Sequence, residues 1–525
     1  MKCSSFANEY IYGMKKTFCL LFLGFKFYFF NTCFGQIPTI QWEHFYGGTS
    51  GEAATSVEQT SDGGYIIGGN SLSIDGDVTG HHGSLGNPDC WVVKTDSVGN
   101  IQWEKSLGGS YEEECVEIHQ IRYGGYIVLV KTGSNDGDVT VNNGYDDFWI
   151  VKLDGAGNMI WQKSYGGSFL ETPVAIEQTT DNGFIAAGYT SSNDSDVSGN
   201  HGQEDYWVIK IDSSGNVQWK KCYGGSLDDE AYDICQLNDG GYVVVGHSQS
   251  FDGDVLNTDS LSGCSWILKL DSIGNLITQR VFNKSPGGFP DSIKYVSNVT
   301  PTPNNGVVVA GRYHFQPGGA THDNIYAEKL DSVFTTIWDK NYYSTCQRAY
   351  CGDIQPTYDG GYVISGWNSP CLEYNILKID NVGNQDWDTA FCCSWVGYAY
   401  TKQTSDGGYI FANQNIGTYP NYWLIKFNNN STAINENPVL NSSLIASLNT
   451  SELRFSFSSP EYSNLRLTLY DITGRVIFTQ AIHANPGLNN KIITIGDLAP
   501  GVYVFTLGGE GWSEVTKVMK ANDDK

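Results

Sequence analysis

Trp91-Val92-Val93-Lys94-Thr95-Asp96-Ser97-Val98-Gly99-Asn100-Ile101-Gln102-Trp103 is two short apolar runs joined by a turn of Asp, Gly and Asn. Gly and Asn accept the positive φ that a tight turn needs, and β-branched residues dominate the flanks, so the stretch predicts a β-hairpin. The pattern returns at residues 149–161 and 207–219. Its lysine marks each copy, at Lys94, Lys152, Lys210, Lys269, Lys329, Lys378 and Lys426, in steps of 58, 58, 59, 60, 49 and 48 residues. A second marker, Asp62-Gly63-Gly64-Tyr65, recurs once per unit, with Gly124-Gly125-Tyr126 as a shortened copy.

Each unit holds four short apolar or alternating runs bounded by turn residues, as at 55–60, 65–70, 91–96 and 101–106. Four strands in a repeat of about 40–60 residues is the signature of a β-propeller blade. The expected fold is therefore all-β, a seven-bladed β-propeller over residues 36–427, followed by a small C-terminal β-sandwich. The seventh unit lacks an outer strand, while residues 40–45 form an orphan strand near the start. Pairing of 40–45 with 422–427 would close the ring and remove an exposed edge. The repeat is similar to bacterial secreted β-propeller repeats, a resemblance that implies a fold and no particular task.

Strand order sorts the loops by face. Tight turns such as Ser61-Asp62-Gly63-Gly64 fall on one side, and the long loops, 71–89 and its counterparts, fall on the other with the unit-to-unit connections. Function concentrates on long loops over a rigid scaffold, so a site is expected on the long-loop face. Two acidic elements recur there. One comprises Asp75 and Asp77, Asp136 and Asp138, Asp194 and Asp196, and Asp252 and Asp254. Clustered carboxylates of this kind suit calcium, although without the full EF-hand pattern they also read as repeated Asp-Gly turns. The other is an acid four residues after each Gly-Gly pair, at Glu52, Glu113, Glu171 and Asp229. These acids are candidates for a ring at the channel mouth or for turn capping. His81, His82 and His201 lie in the same loops. Trp42, Trp103, Trp161 and Trp219 hold a fixed place in the outer strand and read as packing between units.

The net charge of −26 opposes phosphate backbones, so nucleic acid is excluded as a partner. Residues 1–35 read as an export signal, with Lys15-Lys16 before an apolar run at 17–30 and small residues near 33–35, and Met14 is an alternative start. Three of the 13 cysteines fall in that segment, leaving 13 − 3 = 10, an even number compatible with disulfides outside the cytoplasm. The first expected pair is Cys222 with Cys235, on successive predicted strands, and the second Cys346 with Cys351.

After residue 427 the repeat markers stop, and residues 428–436 form a polar linker. Within 437–525 lie Asn437-Pro438, the run Leu467-Thr468-Leu469-Tyr470-Asp471-Ile472-Thr473-Gly474-Arg475-Val476, and Leu498-Ala499-Pro500-Gly501-Val502-Tyr503. From the residues alone, these are hairpin turns in a small β-sandwich without a catalytic group. In order and spacing they resemble the type A C-terminal sorting domain of the bacterial type IX secretion system. The resemblance rests on Tyr470, Asp471, Gly474, Arg475, Pro500, Gly501 and Tyr503. It implies recognition by the type IX machinery, transport across the outer membrane, and removal of the tag with release or surface attachment of the cargo.

No zinc, phosphate-loop or nucleophile-elbow motif occurs. Acids copied from unit to unit suit a scaffold better than an active site, which needs a few unlike groups held once. The expected function is a secreted or cell-surface non-catalytic binding or scaffold protein for a glycan or protein ligand. The alternative is a secreted carbohydrate-active hydrolase or lyase. A deep pocket with perturbed carboxylates would favour the enzyme, and a shallow ring of like residues the platform.

Overall fold

The computed structural model describes residues 37–428 and 445–520, apart from residue 85 and short stretches at 257–262, 283–291, 316–321, 344–347, 393–398, 415–419, 449–451, 460–462, 472–475, 485–486, 495–497, 499–500 and 510–511. The export-signal segment 1–35 and residues 429–444, which include most of the expected linker, lie outside them. Every regular element among the described residues is a strand. The chain divides into two compact units, Met1–Ser431 and Thr432–Lys525.

The first unit is built from four-stranded antiparallel meanders. Glu52–Gln59, Tyr65–Ser71, Asp89–Thr95 and Ile101–Leu107 form the first. Among the described strands there are five separate sheets of four and one eight-stranded array, which is two further meanders joined by the single bridge Asp323–Arg348. Ile40–Tyr46 pairs antiparallel with Tyr422–Phe427 and completes the last sheet. The innermost strands, Glu52–Gln59, Glu113–Gln120, Glu171–Gln178, Asp229–Gln236, Ser292–Pro301, Arg348–Pro356 and Tyr400–Gln403, contact one another in a closed cycle. This is an all-β, propeller-like architecture, with the innermost strands around a central channel.

The repeated residues explain why the sheets pack. The hairpin acid Asp96 accepts the Val98 and Asn100 N–H groups, and Gly99 takes φ +88° at the turn. The two sequence markers meet: Lys94, 2% exposed, pairs with Asp62 at 3.0 Å, and Lys210, Lys378 and Lys426 repeat the pair with Asp181, Asp359 and Asp406 at 2.9 Å. In the second sheet Tyr123 stands at the Asp62 position, and Lys152 donates instead to the Ser213 carbonyl of the third. Outer-strand tryptophans reach the next sheet, Trp42 edge-on to Tyr65 and Trp103 to Tyr126 at 5.6 Å, Trp219 to Tyr242 at 5.8 Å. A glutamine ending most inner strands accepts a turn N–H from the preceding sheet: Gln120 from Ser61, Gln178 from Arg122, Gln236 from Thr180. Gln59 accepts from Ser405 at 2.7 Å, joining the last sheet to the first.

Cys222 and Cys235 are both free and buried, which corrects the expected disulfide. Cys222 sits on an outermost strand opposite Trp207, whereas Cys235 sits on the innermost strand of the following sheet. Strands adjacent in sequence at a unit boundary are therefore far apart across a sheet. Cys351 is also free, so it does not pair with Cys346, which lies outside the described residues. Cys371 is disulfide-bonded.

The second unit has a three-stranded sheet, Ile445–Leu448, Glu452–Ser459 and Gly487–Thr494, and a four-stranded one, Val476–Ala484, Ser463–Asp471, Gly501–Gly509 and Trp512–Lys520. Leu453 and Phe455 of the first share one core with Leu467, Leu469, Phe505 and Leu507 of the second, a β-sandwich. Tyr470 and Asp471 end a strand paired with Val504 and Tyr503, and Gly501 opens the partner strand. Gly474, Arg475 and Pro500 lie outside the described residues.

Candidate binding site in the central channel

The long-loop face is knitted together by its acids. Asp75 accepts the Thr49 N–H at 2.8 Å and Asp77 the Gly47 N–H at 3.1 Å. Asp136, Asp194 and Asp252 repeat the first bond with Ser110, Ser168 and Ser226 at 2.7–2.8 Å. Asp138 and Asp254 reach the Gly108 and Gly224 N–H groups at 3.4 Å, while Asp196 pairs with Lys220 at 2.8 Å. Each Asp-Gly-Asp loop thus caps a Gly-Gly turn. Among the described residues no three His, Cys, Asp or Glu side chains gather as a metal cage.

Glu52, Glu113, Glu171 and Asp229 are 0–1% exposed and none lines the channel cavity, so they form no ring at its mouth. Each accepts a glycine N–H and a hydroxyl: Glu113 from Gly109 and Thr132 at 2.7 Å, Glu171 from Gly167 and Thr190 at 2.6 Å. Glu52 takes Gly48 and Ser71, and Asp229 takes Gly225 and Ser250. His82 and His201 contact Asp89 and Asp205 through Nδ1, at 2.9 and 2.6 Å.

The channel encloses a cavity of about 850 Å³ lined by side chains of the inner strands and of the strands that follow them. Its wall in the fifth and sixth sheets is aromatic. Tyr350 stacks on Trp367 at 4.0 Å, and the Arg312 guanidinium lies 4.5 Å from the Tyr295 ring centre and 5.2 Å from that of Tyr350. Tyr232 and Tyr400 add to the lining. Charged groups from different sheets share the cavity: Glu117, His119, Glu177, Asp233, Asp353 and Lys402. His119 bridges Glu58 and Glu117 at 3.1 and 2.9 Å. Burial pulls its pKa down, but Glu117 and Glu58 outweigh this and hold it near 10. Burial pushes Glu177 up to about 7 and raises Asp233 and Asp353.

These acids also hold the sheets in register. Glu58 accepts the Gln120 N–H, Glu117 that of Ile176, Glu177 that of Gln236 and Asp233 that of Val299, each from the next inner strand at 2.8–3.2 Å. Lys402 makes no ion pair within 4.0 Å among the described residues, yet its charge is favoured by Glu58, Glu117, Asp353 and Glu177. The aromatic wall and Lys402 stand at positions that vary from sheet to sheet, Ala53, Glu114, Thr172 and Glu230 occupying the place of Tyr295 and Tyr350, so repeat-matching gives them no signal.

Fold and site together define a propeller-like repeat protein with a lined channel. Residues 449–521 match the family described as the secretion system C-terminal sorting domain, so the chain carries a type IX sorting domain and is a secreted or cell-surface protein. No curated protein matches the chain. Among solved structures it is similar to the polysaccharide lyase Uly1, at 10% identity and TM-score 0.41 over 73% of this chain and 90% of that one. It is also similar to Drosophila Plexin A in complex with Semaphorin 1b, at 7% identity and TM-score 0.39 over 75% and 88%.

Proposed function

We propose that this protein is a secreted or cell-surface binding module, exported through its type IX sorting domain, whose seven-bladed ring takes a glycan segment into the central channel. The observation that carries the reading is the cavity of about 850 Å³ with Tyr295, Arg312, Tyr350 and Trp367 on one wall. Its volume falls in the roughly 300–1,000 Å³ range of small-ligand sites, and it combines aromatic surface with a few convergent polar groups. Sugar rings present apolar faces to aromatic rings and hydroxyls to carboxylates and amides, which is the mixture here. The acids of the channel have a structural duty, holding N–H groups of the next sheet, and so do not by themselves argue for chemistry. The test is a glycan array probed with the full chain, followed by calorimetric titration of the best ligand. Binding that weakens at least tenfold in Trp367→Ala with melting temperature retained supports the reading, and unchanged binding overturns it.

A second reading, a carbohydrate-active enzyme, is favoured by one observation: Glu177, held near pKa 7 by burial, shares the cavity with Lys402 and His119. A carboxyl of that pKa suits general acid-base work at neutral pH. Release of reducing ends or unsaturated sugars from an array-positive glycan, abolished in Glu177→Gln with binding retained, would establish it.

A further inference from the structure

Where one sheet meets the next on the long-loop face, a buried acid that opens the third strand of one sheet faces the buried acid that opens the first strand of the next. The pairs are Asp89 with Glu113, Asp147 with Glu171 and Asp205 with Asp229, all 0% exposed. Each crowds a glycine of the intervening turn. A Cβ on Gly166 would lie 2.2 Å from Asp147 Oδ1 and 2.5 Å from Glu171 Oε2, and Gly108 and Gly224 are hemmed in likewise at 2.5–2.8 Å. Oδ2 of Asp89, Asp147 and Asp205 accepts a loop N–H, from His82, Asn143 and His201 at 2.7–3.0 Å. Oδ1 of each is buried without a hydrogen-bond partner. Asp147 and Glu171 lie within hydrogen-bond reach of each other.

Two ionised carboxylates cannot be buried in contact without a counter-charge or a proton. The described side chains offer no metal cage here. The last junction indicates what the geometry requires. There Asn421 occupies the place of Asp89, Asp147 and Asp205, and its amide carbon and the Glu52 carboxylate crowd Gly47 as the acid pairs crowd their glycines. An amide is the shape of a protonated carboxyl and brings its own N–H donor. At Asp89 and Asp205 a histidine, His82 or His201, lies against the carboxylate at 2.9 and 2.6 Å and can supply the counter-charge, whereas Asp147 has none. We propose that the Asp147–Glu171 pair binds one shared proton, which does for its junction what the Asn421 amide does at the junction of the last sheet with the first.

The consequence is a long-loop face whose firmness depends on pH. Burial raises Asp147 to about 7 and Asp205 to about 6, and raises Asp89 and Glu171 too. The charged groups that face them are Asp196 beside Asp147, His81 and His82 beside Asp89, and His201 beside Asp205. Where the folded pKa exceeds the unfolded one, stability is full below the unfolded value, about 4, and is lost as pH rises through the folded one. The Asp147–Glu171 junction therefore loosens between about pH 4 and 7.

The test is thermal melting of the full chain from pH 5 to pH 9, with and without chelator. Asp147→Asn supplies the donor permanently and should raise the melting temperature at pH 8 by a few degrees while flattening its decline with pH. Asn421→Asp places a second such pair beside Glu52 and should steepen that decline, lowering melting at pH 8 more than at pH 5. Asp147→Asn destabilising equally at both pH values overturns the proposal, as does an Asn421→Asp slope equal to the wild type's. So does a wild-type pH 8 melting temperature that chelator lowers and calcium restores, which would make the pairs cation sites.

Discussion

The first four sheets and the fifth and sixth are built on one plan and used differently. In the first four, corresponding positions carry the same chemistry: a turn-capping acid at Glu52, Glu113, Glu171 and Asp229, and Asp-Gly-Asp loops over Gly-Gly turns. In the fifth and sixth, Lys294 and Ala349 replace that acid, and the next residues, Tyr295 and Tyr350, line the cavity with Arg312 and Trp367 paired opposite them. Copied residues hold the ring, and positions that vary from sheet to sheet form the pocket. A repeat fold can diverge at one arc of its channel because the remaining sheets keep the scaffold.

The largest effect should come from breaking the ring itself. Deleting the strand Ile40–Tyr46 leaves Tyr422–Phe427 as an open edge and removes ladder bonds between the chain's two ends, so melting should fall by more than 10 °C or the protein should aggregate. Melting unchanged within 2 °C would mean closure is dispensable. Trp103→Ala removes the edge contact with Tyr126 and the packing over Gly157, and should cost about 2–4 kcal/mol by denaturant titration. Trp367→Ala should cost less, since its ring lines the channel cavity, while removing most ligand binding.

Smaller effects separate the two regions further. Lys94→Met leaves Asp62 without its partner. Burial opposes ionisation of Asp62, but Thr60 and Lys94 hold its pKa at about 2. That stability is present above about pH 4 and is lost as pH falls toward 2. Asp62 is half exposed, so the variant should cost only about 1 kcal/mol at pH 7, with a weaker acid dependence. Least of all should be the effect of calcium on the Asp-Gly-Asp loops. Their oxygens already accept backbone N–H groups, so titration with calcium or chelator at pH 7 should move melting by less than about 1 °C. A large rise would make them ion sites.

Much of the scaffold was legible because its signals are local. The Lys94 and Asp62 markers recur in most repeats, and the structure shows why, since the buried lysine pairs with the half-exposed turn acid. The sorting domain was legible from Tyr470, Asp471 and the strand opening at Gly501. What the sequence hid is what arises between units. Cys222 and Cys235 look adjacent along the chain and lie at opposite edges of neighbouring sheets. Cys90 and Cys115, unremarked in the sequence, approach each other across the first junction. Asp147 and Glu171 are 24 residues apart, and their contact follows from the turn at Gly166 rather than from any motif. Repetition drew attention to acids that cap turns and away from Tyr350 and Trp367, because a residue at a position that varies from sheet to sheet looks like noise until the ring brings it to the channel.

The most direct test of the division between scaffold and site is a paired titration. The best array glycan is titrated into the wild-type chain, into Tyr350→Ala with Trp367→Ala, and into Asp75→Ala with Asp136→Ala. The account predicts that the aromatic double variant loses at least tenfold in affinity while the loop variant keeps the wild-type value. Loss confined to the loop variant would contradict it, placing the ligand on the long-loop face and leaving the channel wall as packing.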